Sequence, residues 1–287
     1  MKAKRIIALI LSAVAVVSLV GCVNQHPESA ATKTEVNKEV RLVATSPAVA
    51  QICNRLNLDL VGVCNTSGTL PEKYDNVKKV GMAMNPDLET IKSLNPDYVL
   101  SPSSLESDLQ PKYASIGVKS LFLNLKSVDG MYASIEDLGE KFDRKDEADE
   151  MLNEFKTFMD KYKDKNKDKK SPKVLVLMGL PGSYIVATDN SYVGSLVKLG
   201  GEEFLTANTE DMQTKDPDII LRAAHALPNE VKEMFAKEFE TNDVWKHFRA
   251  VQEGKVYDLD SSLFNMSANF SYSDALEVLQ PLLYGDE

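Results

Sequence analysis

Histidine and cysteine are scarce: each occurs three times in 287 residues. So few histidines exclude a His-rich metal buffer, and so few cysteines exclude a disulfide scaffold or a Cys-rich zinc or iron–sulfur site. Basic charge is also in deficit, with 33 Lys and Arg against 43 Asp and Glu and a formal net charge of −10. Such an acidic body argues against nucleic acid as a partner and against polybasic binding to a membrane surface. Nucleophile elbow, Walker loop and HExxH patterns are all missing, so no motif here demands catalysis. What is present is a 43% hydrophobic, 26% charged composition, enough for a real core and wrong for disorder.

The longest apolar run is Ile6–Val20, 15 residues behind the basic stretch Met1–Arg5. A membrane span needs about 20 apolar residues, so this run reads as the h-region of a signal peptide. It closes on Leu19-Val20-Gly21-Cys22, which resembles the lipobox of bacterial lipoproteins, where cleavage precedes a cysteine whose sulfur carries diacylglycerol. Residues 1–21 are therefore expected as a lipoprotein signal peptide and Cys22 as the lipidation site. Two acyl chains give stable anchoring where one does not. Residues 22–39 hold almost no large apolar side chain and read as a flexible tether. The mature protein is expected on the extracellular face of the bacterial cell membrane, lipid-anchored. Of the remaining cysteines, Cys53 and Cys64 have a disulfide open to them outside the cell. One on a helix and one at a strand end, they read better as unpaired, buried small residues.

Short apolar runs then alternate with helical patterns. RLVAT (41–45), LVGVC (60–64), YVLS (98–101) and SLFLNL (120–125) lack period-2 polarity, as strands buried on both faces of an α/β sheet do. KVLVLMG (173–179), YIVAT (184–188), DIILRAA (218–224) and KVYDLD (255–260) form a second set. Between the sets, Val128, Met131, Ile135, Leu138 and Phe142 are spaced three, four, three, four, and Ala148, Met151, Phe155, Phe158 and Tyr162 repeat that spacing. The phase breaks at DRKDE, so two helices with a turn between them are predicted. The charge run KDKNKDKK (163–170) reads as a solvated face, closed by Pro172. The division expected is an N-terminal α/β part at 40–126, a helical connection at 127–171 and a C-terminal α/β part at 172–287.

An internal echo joins the two sets. Glu89, six residues, Pro96-Asp97 and a strand match Glu210, six residues, Pro217-Asp218 and a strand, which favours a duplicated architecture. This unit, with Asn242-Asp243-Val244-Trp245 and Gly254-Lys255-Val256-Tyr257, resembles ABC-transporter substrate-binding proteins of the siderophore, cobalamin and haem group. The strings LVLMGLPGSYIVATDNSYVGSLVK (175–198), DPDIILRAAHALP (216–228), EVKEMFAKEF (230–239) and NDVWKHFRAV (242–251) carry the resemblance toward its haem-binding members. It covers most of the chain after the tether. It implies two Rossmann-like lobes joined by a single long backbone helix, a periplasmic-binding-protein-like α/β fold of the rigid class. It further implies haem b (iron protoporphyrin IX) as transported ligand in the cleft, its iron held by one methionine and one histidine. The methionine belongs to a Gly-x-x-Met-x-Pro motif, here Gly81 to Pro86, which selects Met84; the histidine follows the Ile-Ile-Leu-Arg strand, which selects His225. Implied partners are an ABC permease with its ATPase and upstream haem-donor surface proteins. Between Glu203 and Asn208 the chain is shorter than the family pattern.

The residues, read chemically, weigh as follows. His26 lies in the tether and His247 within WKHF, where a surface or packing role suffices. His225 directly follows a buried strand, and ligands of open α/β sheets sit beyond the strands' carboxyl ends. Met82 competes with Met84, since methionine is more often a core filler than a ligand; the motif favours Met84. Imidazole with thioether is a neutral haem-iron pair that favours the reduced form. For charged propionates, Thr45-Ser46-Pro47 and Asp189-Asn190-Ser191-Tyr192 look like helix N-termini, which attract anions. Thr45, Ser46 and Tyr192 are candidate contacts, with ordinary capping the alternative. Arg222 faces either the cleft or the outside. Glu89 and Glu210 occupy equivalent places; the helix dipole alone favours a carboxylate there, and the resemblance implies docking against permease arginines. A ferric siderophore or a corrinoid is the alternative cargo, and an enzyme on this scaffold the least supported reading. Lipidation is directly testable: Cys22→Ala should leave the uncleaved precursor, and fatty-acid label persisting in that variant would refute the assignment.

Overall fold

Each apolar run of the first set folds as a parallel strand. In the computed structural model, which describes residues 40–66, 68–201, 203–204 and 216–285, β1 (Leu42–Ala44) and β2 (Leu60–Val63) are followed by β3 (Lys78–Lys79). A small antiparallel hairpin, β4 (Gly81–Met82) and β5 (Asn85–Pro86), precedes β6 (Tyr98–Pro102) and β7 (Ser120–Leu123). The order is β3-β2-β1-β6-β7, all parallel. Parallel neighbours need crossovers, and α1 (Pro47–Arg55), α2 (Leu88–Ser93) and α3 (Glu106–Ser115) lie in three of them. Adjacent strand residues go to opposite cores: Leu42, Ala44 and Leu100 to one face, Val43 and Val99 to the other with Ile91, Leu109 and Tyr113. Burial on both faces is why the runs show no polar alternation.

The second sheet holds β8 (Lys173–Leu180), β9 (Ser183–Val186), β10 (Glu203–Phe204), β11 (Ile219–Ala224) and β12 (Val256–Asp258). Its parallel path is β10-β8-β11-β12. The run 184–188 departs from expectation, because β9 pairs antiparallel with β8. Pro181 and Gly182 (φ +81°) turn the chain within two residues, too few for a parallel crossover. Helices α6 (Tyr192–Leu199), α7 (Pro228–Thr241), α8 (Asp243–Lys246), α9 (Arg249–Gln252) and α10 (Tyr272–Tyr284) complete this half. The connecting helices are α4 (Val128–Lys141) and α5 (Lys145–Asn166), separated at Asp143 (φ +56°) as the phase break predicts. The 22 residues of α5 make a rod about 33 Å long.

The sequence echo is a physical repeat. Asp97 accepts from the Arg41 N–H (2.9 Å) and returns its own N–H to the Arg41 carbonyl (2.8 Å). Asp218 does the same with Lys173, at 2.9 Å in both directions. Each Pro-Asp thus locks the start of one strand to its neighbour, β6 to β1 and β11 to β8. The helices after β1 and β9 repeat as well: Ser46 accepts from the Val49 N–H and Ser191 from the Gly194 N–H.

One buried cluster runs from β1 through α4 and α5 to β8, α6 and α10. Its aromatic centre is Tyr132 stacked on Phe155 (4.4 Å), with Tyr272 edge-on to both (5.9 and 5.5 Å). The Tyr132 hydroxyl donates to Tyr272 at 3.2 Å. Nearby, the Ala268 N–H donates to the Leu125 carbonyl (2.8 Å), and Arg55, paired with Glu154, lies 4.7 Å over the Phe270 ring. Cys53 in α1 and Cys64 after β2 are buried and unbonded to each other. Burial pushes their thiols up to about 12 and about 11, which keeps them protonated and unreactive. Among the described residues no helix is long and apolar enough to cross a membrane. Because Tyr272 belongs to a core shared by both sheets, Tyr272→Ala should cost about 3–5 kcal/mol and Tyr272→Phe about 1 kcal/mol. Urea unfolding should show one transition shifted to lower midpoint; a wild-type midpoint in Tyr272→Ala would contradict this role.

Candidate ligand-binding site

In open α/β sheets ligands collect beyond the carboxyl ends of the strands, so the residues at those ends decide what the protein can hold. In the first sheet the hairpin after β3 carries Met84. Val80 donates to the Val63 carbonyl (3.0 Å), Asn65 to the Gly81 carbonyl (2.7 Å) and Asp87 to the Val80 carbonyl (2.7 Å). Gly81 sits at φ +88°, and a Cβ there would lie 2.8 Å from the Asp87 nitrogen, so only glycine fits this start. Pro86 is buried, and Asp87 caps α2 by accepting from the Thr90 N–H (2.9 Å) and hydroxyl (2.7 Å). Those bonds, the backbone N–H foremost, hold the Asp87 carboxyl below its ordinary pKa. The result is a stapled two-residue turn, Ala83-Met84, with Met82 and Met84 both exposed.

In the second sheet His225 follows β11 directly. Its N–H donates to the Gly179 carbonyl (2.9 Å), and its ring is exposed. Leu227, two residues on, adopts φ +47° with its side chain in solvent, a left-handed conformation that costs a leucine about 1–2 kcal/mol. Such strain persists where surrounding structure enforces it, and it is commonest at functional sites. Beside it, the β8–β9 hairpin exposes Leu180 and Ile185. The hairpin is held through Tyr184, whose hydroxyl donates to Glu238 (3.1 Å); the same carboxylate oxygen accepts from Asn242 (2.7 Å) and Trp245 (3.2 Å). Those donors, Asn242 first, keep the Glu238 carboxyl below its usual range. The connection after β12 exposes Met266. Chemically, these segments offer the thioethers of Met82, Met84 and Met266 and the imidazole of His225, with Leu180, Ile185 and Leu227 also exposed. Among the described residues no group of three or more His, Cys, Asp or Glu is placed to hold a metal ion.

Comparison with known proteins agrees with this layout. The model of the periplasmic binding protein family matches residues 42–263. The chain belongs to that family. It is 40% identical to the high-affinity heme uptake system protein IsdE of Staphylococcus aureus (strain Newman), over 97% of this chain and 98% of that protein. The crystal structure of S. aureus IsdE complexed with heme superposes with a TM-score of 0.78 at 42% identity, covering 86% of this chain and 99% of that one. An ABC transporter substrate-binding protein from Listeria monocytogenes EGD-e gives 0.82 at 44% identity, over 87% and 100%.

The remaining candidate residues of this periplasmic binding protein fall out as follows. Ser46 caps α1 as expected, its hydroxyl oxygen accepting from the Val49 N–H (3.3 Å). The Thr45 hydroxyl is engaged inside, donating to the Leu100 carbonyl (3.2 Å) and pairing with the Ser101 hydroxyl (2.8 Å). Tyr192 does not face the edge: it is buried in the core with α6, and its hydroxyl has no partner among the described residues. Burial raises its phenol well above the ordinary range. The reason is the apolar face of α6, Val193, Leu196 and Val197, which takes the first helical residue inward with it. Arg222 resolves to the outer face, bidentate on Asp258 (2.8 Å for both bonds) and over Phe235 and Phe239 of α7 (5.6 and 5.1 Å). His247 is exposed beside α8, and Glu89 is exposed in the first turn of α2. Cys22, Glu210 and the segment 205–215, which includes most of the shortened loop, lie outside the described residues. Sequence reasoning did not single out Leu180, Ile185, Leu227 or Met266.

Proposed function

We propose that this protein captures haem b (iron protoporphyrin IX) outside the cell and passes it to an ABC permease, with Met84 and His225 as the axial ligands. The observation that carries the reading is the pair of exposed donors, one on each sheet, each at the carboxyl edge and each fixed by backbone hydrogen bonds to a neighbouring segment. A chain 40% identical to this one over nearly its full length is a heme uptake protein, which supports the choice of cargo. Two neutral donors suit an iron already held by four porphyrin nitrogens. A bare ion would want more ligands and carboxylates. Exposed Leu180, Ile185 and Leu227 would meet the macrocycle, and burying apolar surface against it supplies the non-directional part of the affinity.

On this reading the two sheets belong to two lobes, residues 40–126 and 172–287, with 127–171 connecting them. The propionates would meet the α1 N-terminus capped by Ser46; Thr45 ties that end of β1 to Leu100 and Ser101 of β6, and Tyr192 supports the second lobe from inside. Cys22 would carry the lipid anchor, and surface proteins upstream would donate the haem. The protein is a carrier, without a catalytic step of its own.

Visible spectra of the haem-loaded protein test the ligands. His225→Ala and Met84→Ala should each lose the six-coordinate low-spin spectrum, whereas Met82→Ala should keep it. Wild-type spectra in both of the first two variants would end the assignment, and no Soret change in the unmutated protein would favour a siderophore or corrinoid.

Delivery is tested separately. Glu89 stands exposed on α2, and we assign Glu210 the matching place on the second lobe, so that the pair docks on arginines of a two-fold permease. Rim charges set encounter and orientation and leave a distant pocket untouched. Glu89→Ala/Glu210→Ala should bind haem normally and fail to support growth on haem as sole iron source. Normal growth at wild-type expression would refute the docking role.

A further inference from the structure

Among the described residues, exposure separates most of the methionines into two classes, with Met234 half-buried between them. Met131, Met151, Met159 and Met178 are buried in the core, whereas Met84 is 74% exposed, Met82 63% and Met266 49%. Among the described residues the exposed three lie in β4, in the turn after it and in the connection after β12. A thioether in water is open to two-electron oxidants, and one inside a packed core is shielded from them. Met84, the most exposed of the three, is also the one on which haem ligation rests.

We propose that Met84 is a peroxide-sensitive modification site, and that its conversion to the sulfoxide disables the ligand site reversibly. The inference rests on the haem-binding reading above. A lone pair on the Met84 sulfur attacks one oxygen of a hydroperoxide, forming the S–O bond as the O–O bond breaks. The departing oxygen takes the proton of the attacked one and leaves as water or an alcohol. Sulfur is oxidised by two electrons and the peroxide is reduced by two. The product replaces a soft thioether with a polar, chiral group whose oxygen is a hard donor.

The local geometry lets this happen without unfolding. The hairpin is held by main-chain bonds at Val80, Asn65 and Asp87 (3.0, 2.7 and 2.7 Å) and by the buried Pro86. None of these involves the Met84 side chain. Oxidation therefore changes the donor and leaves its mount in place. Oxidation of a core methionine such as Met131 would instead put a polar group among apolar neighbours and destabilise the fold.

The test treats ligand-free protein with hydrogen peroxide, maps sulfoxides by peptide mass spectrometry, follows folding by circular dichroism and then titrates haem. Met84, Met82 and Met266 should oxidise before the four core methionines, with the circular dichroism unchanged. The low-spin spectrum should be lost, and methionine sulfoxide reductases acting on both epimers should restore it. In a Met82→Leu/Met212→Leu/Met234→Leu/Met266→Leu background, which leaves Met84 beside the four core methionines, peroxide must still remove the spectrum. A protein quantitatively oxidised at Met84 that keeps its untreated spectrum would overturn the proposal. So would core methionines oxidising as fast as Met84. Untreated protein that lacks a Met84-dependent spectrum would instead count against the haem reading itself.

Discussion

Two carboxylates, Asp97 and Asp218, set the geometry on which the rest of the structure depends. Each accepts from the backbone N–H of the residue leading its neighbouring strand and returns its own N–H to that residue's carbonyl. A two-bond clamp of this kind fixes register, and a slip of one residue would turn every side chain to the opposite face. With register fixed, Leu42 pairs with Tyr98 and Ile219 with Val174, so the alternation between the two buried faces is set along each strand. The far ends of the strands then fall in fixed places. At the end of the β8–β11 pair the Gly179 carbonyl meets the N–H of His225, which fixes the backbone from which the imidazole projects. A clamp at one end of the sheet thus determines where the His225 backbone stands at the other.

The clamps act within each sheet; the shared core acts between them. Tyr132 on α4, Phe155 on α5 and Tyr272 on α10 form one aromatic stack. Leu125, just past β7, is hydrogen-bonded to Ala268, in the connection that follows β12. Aromatic pairs add about 0.5–1.5 kcal/mol each beyond burial, and here they join elements far apart in sequence. Relative motion of the sheets would have to break this stack and expose the buried Tyr132 and Tyr272. That constraint agrees with the rigid class of fold that the sequence resemblance implied.

How much of this was legible in the sequence follows from how local each cause is. The break between α4 and α5 was legible because apolar phase is a local property, and the structure puts Asp143 at φ +56° there. The serine caps of α1 and α6 were legible because Ser-Pro and Asn-Ser before an apolar stretch have a local meaning. The Pro-Asp echo was visible as a string, but the backbone clamp it encodes was not, since its partners Arg41 and Lys173 are 56 and 45 residues away. The orientation of β9 was not legible in its own run, because an apolar run reads the same in either direction; Pro181-Gly182 was the local clue. Tyr192 was misplaced because N-terminal position on a helix says nothing of which way a side chain turns. That depends on the apolar face of α6 and what it packs against. The exposure of Met84 had only the Gly-x-x-Met-x-Pro spacing to announce it, and that spacing gains meaning through Gly81, whose backbone a side chain would obstruct.

The same local build explains how a binding protein of this design would hold haem and also let it go. On the proposed ligation, the imidazole of His225 leaves a backbone tied to Gly179. The thioether of Met84 is set on a stapled turn but at the end of a flexible side chain whose rotations lie open to solvent. Affinity is then divided between a fixed apolar surface and two ligands that can swing away without moving the main chain. Either side chain could turn away without breaking a packed contact, since Met84 and His225 are both exposed, whereas moving the His225 main chain would break its bond to Gly179 at the end of β11. On that proposal, the exposure that opens Met84 to peroxide also leaves its side chain free to turn away from a bound ligand.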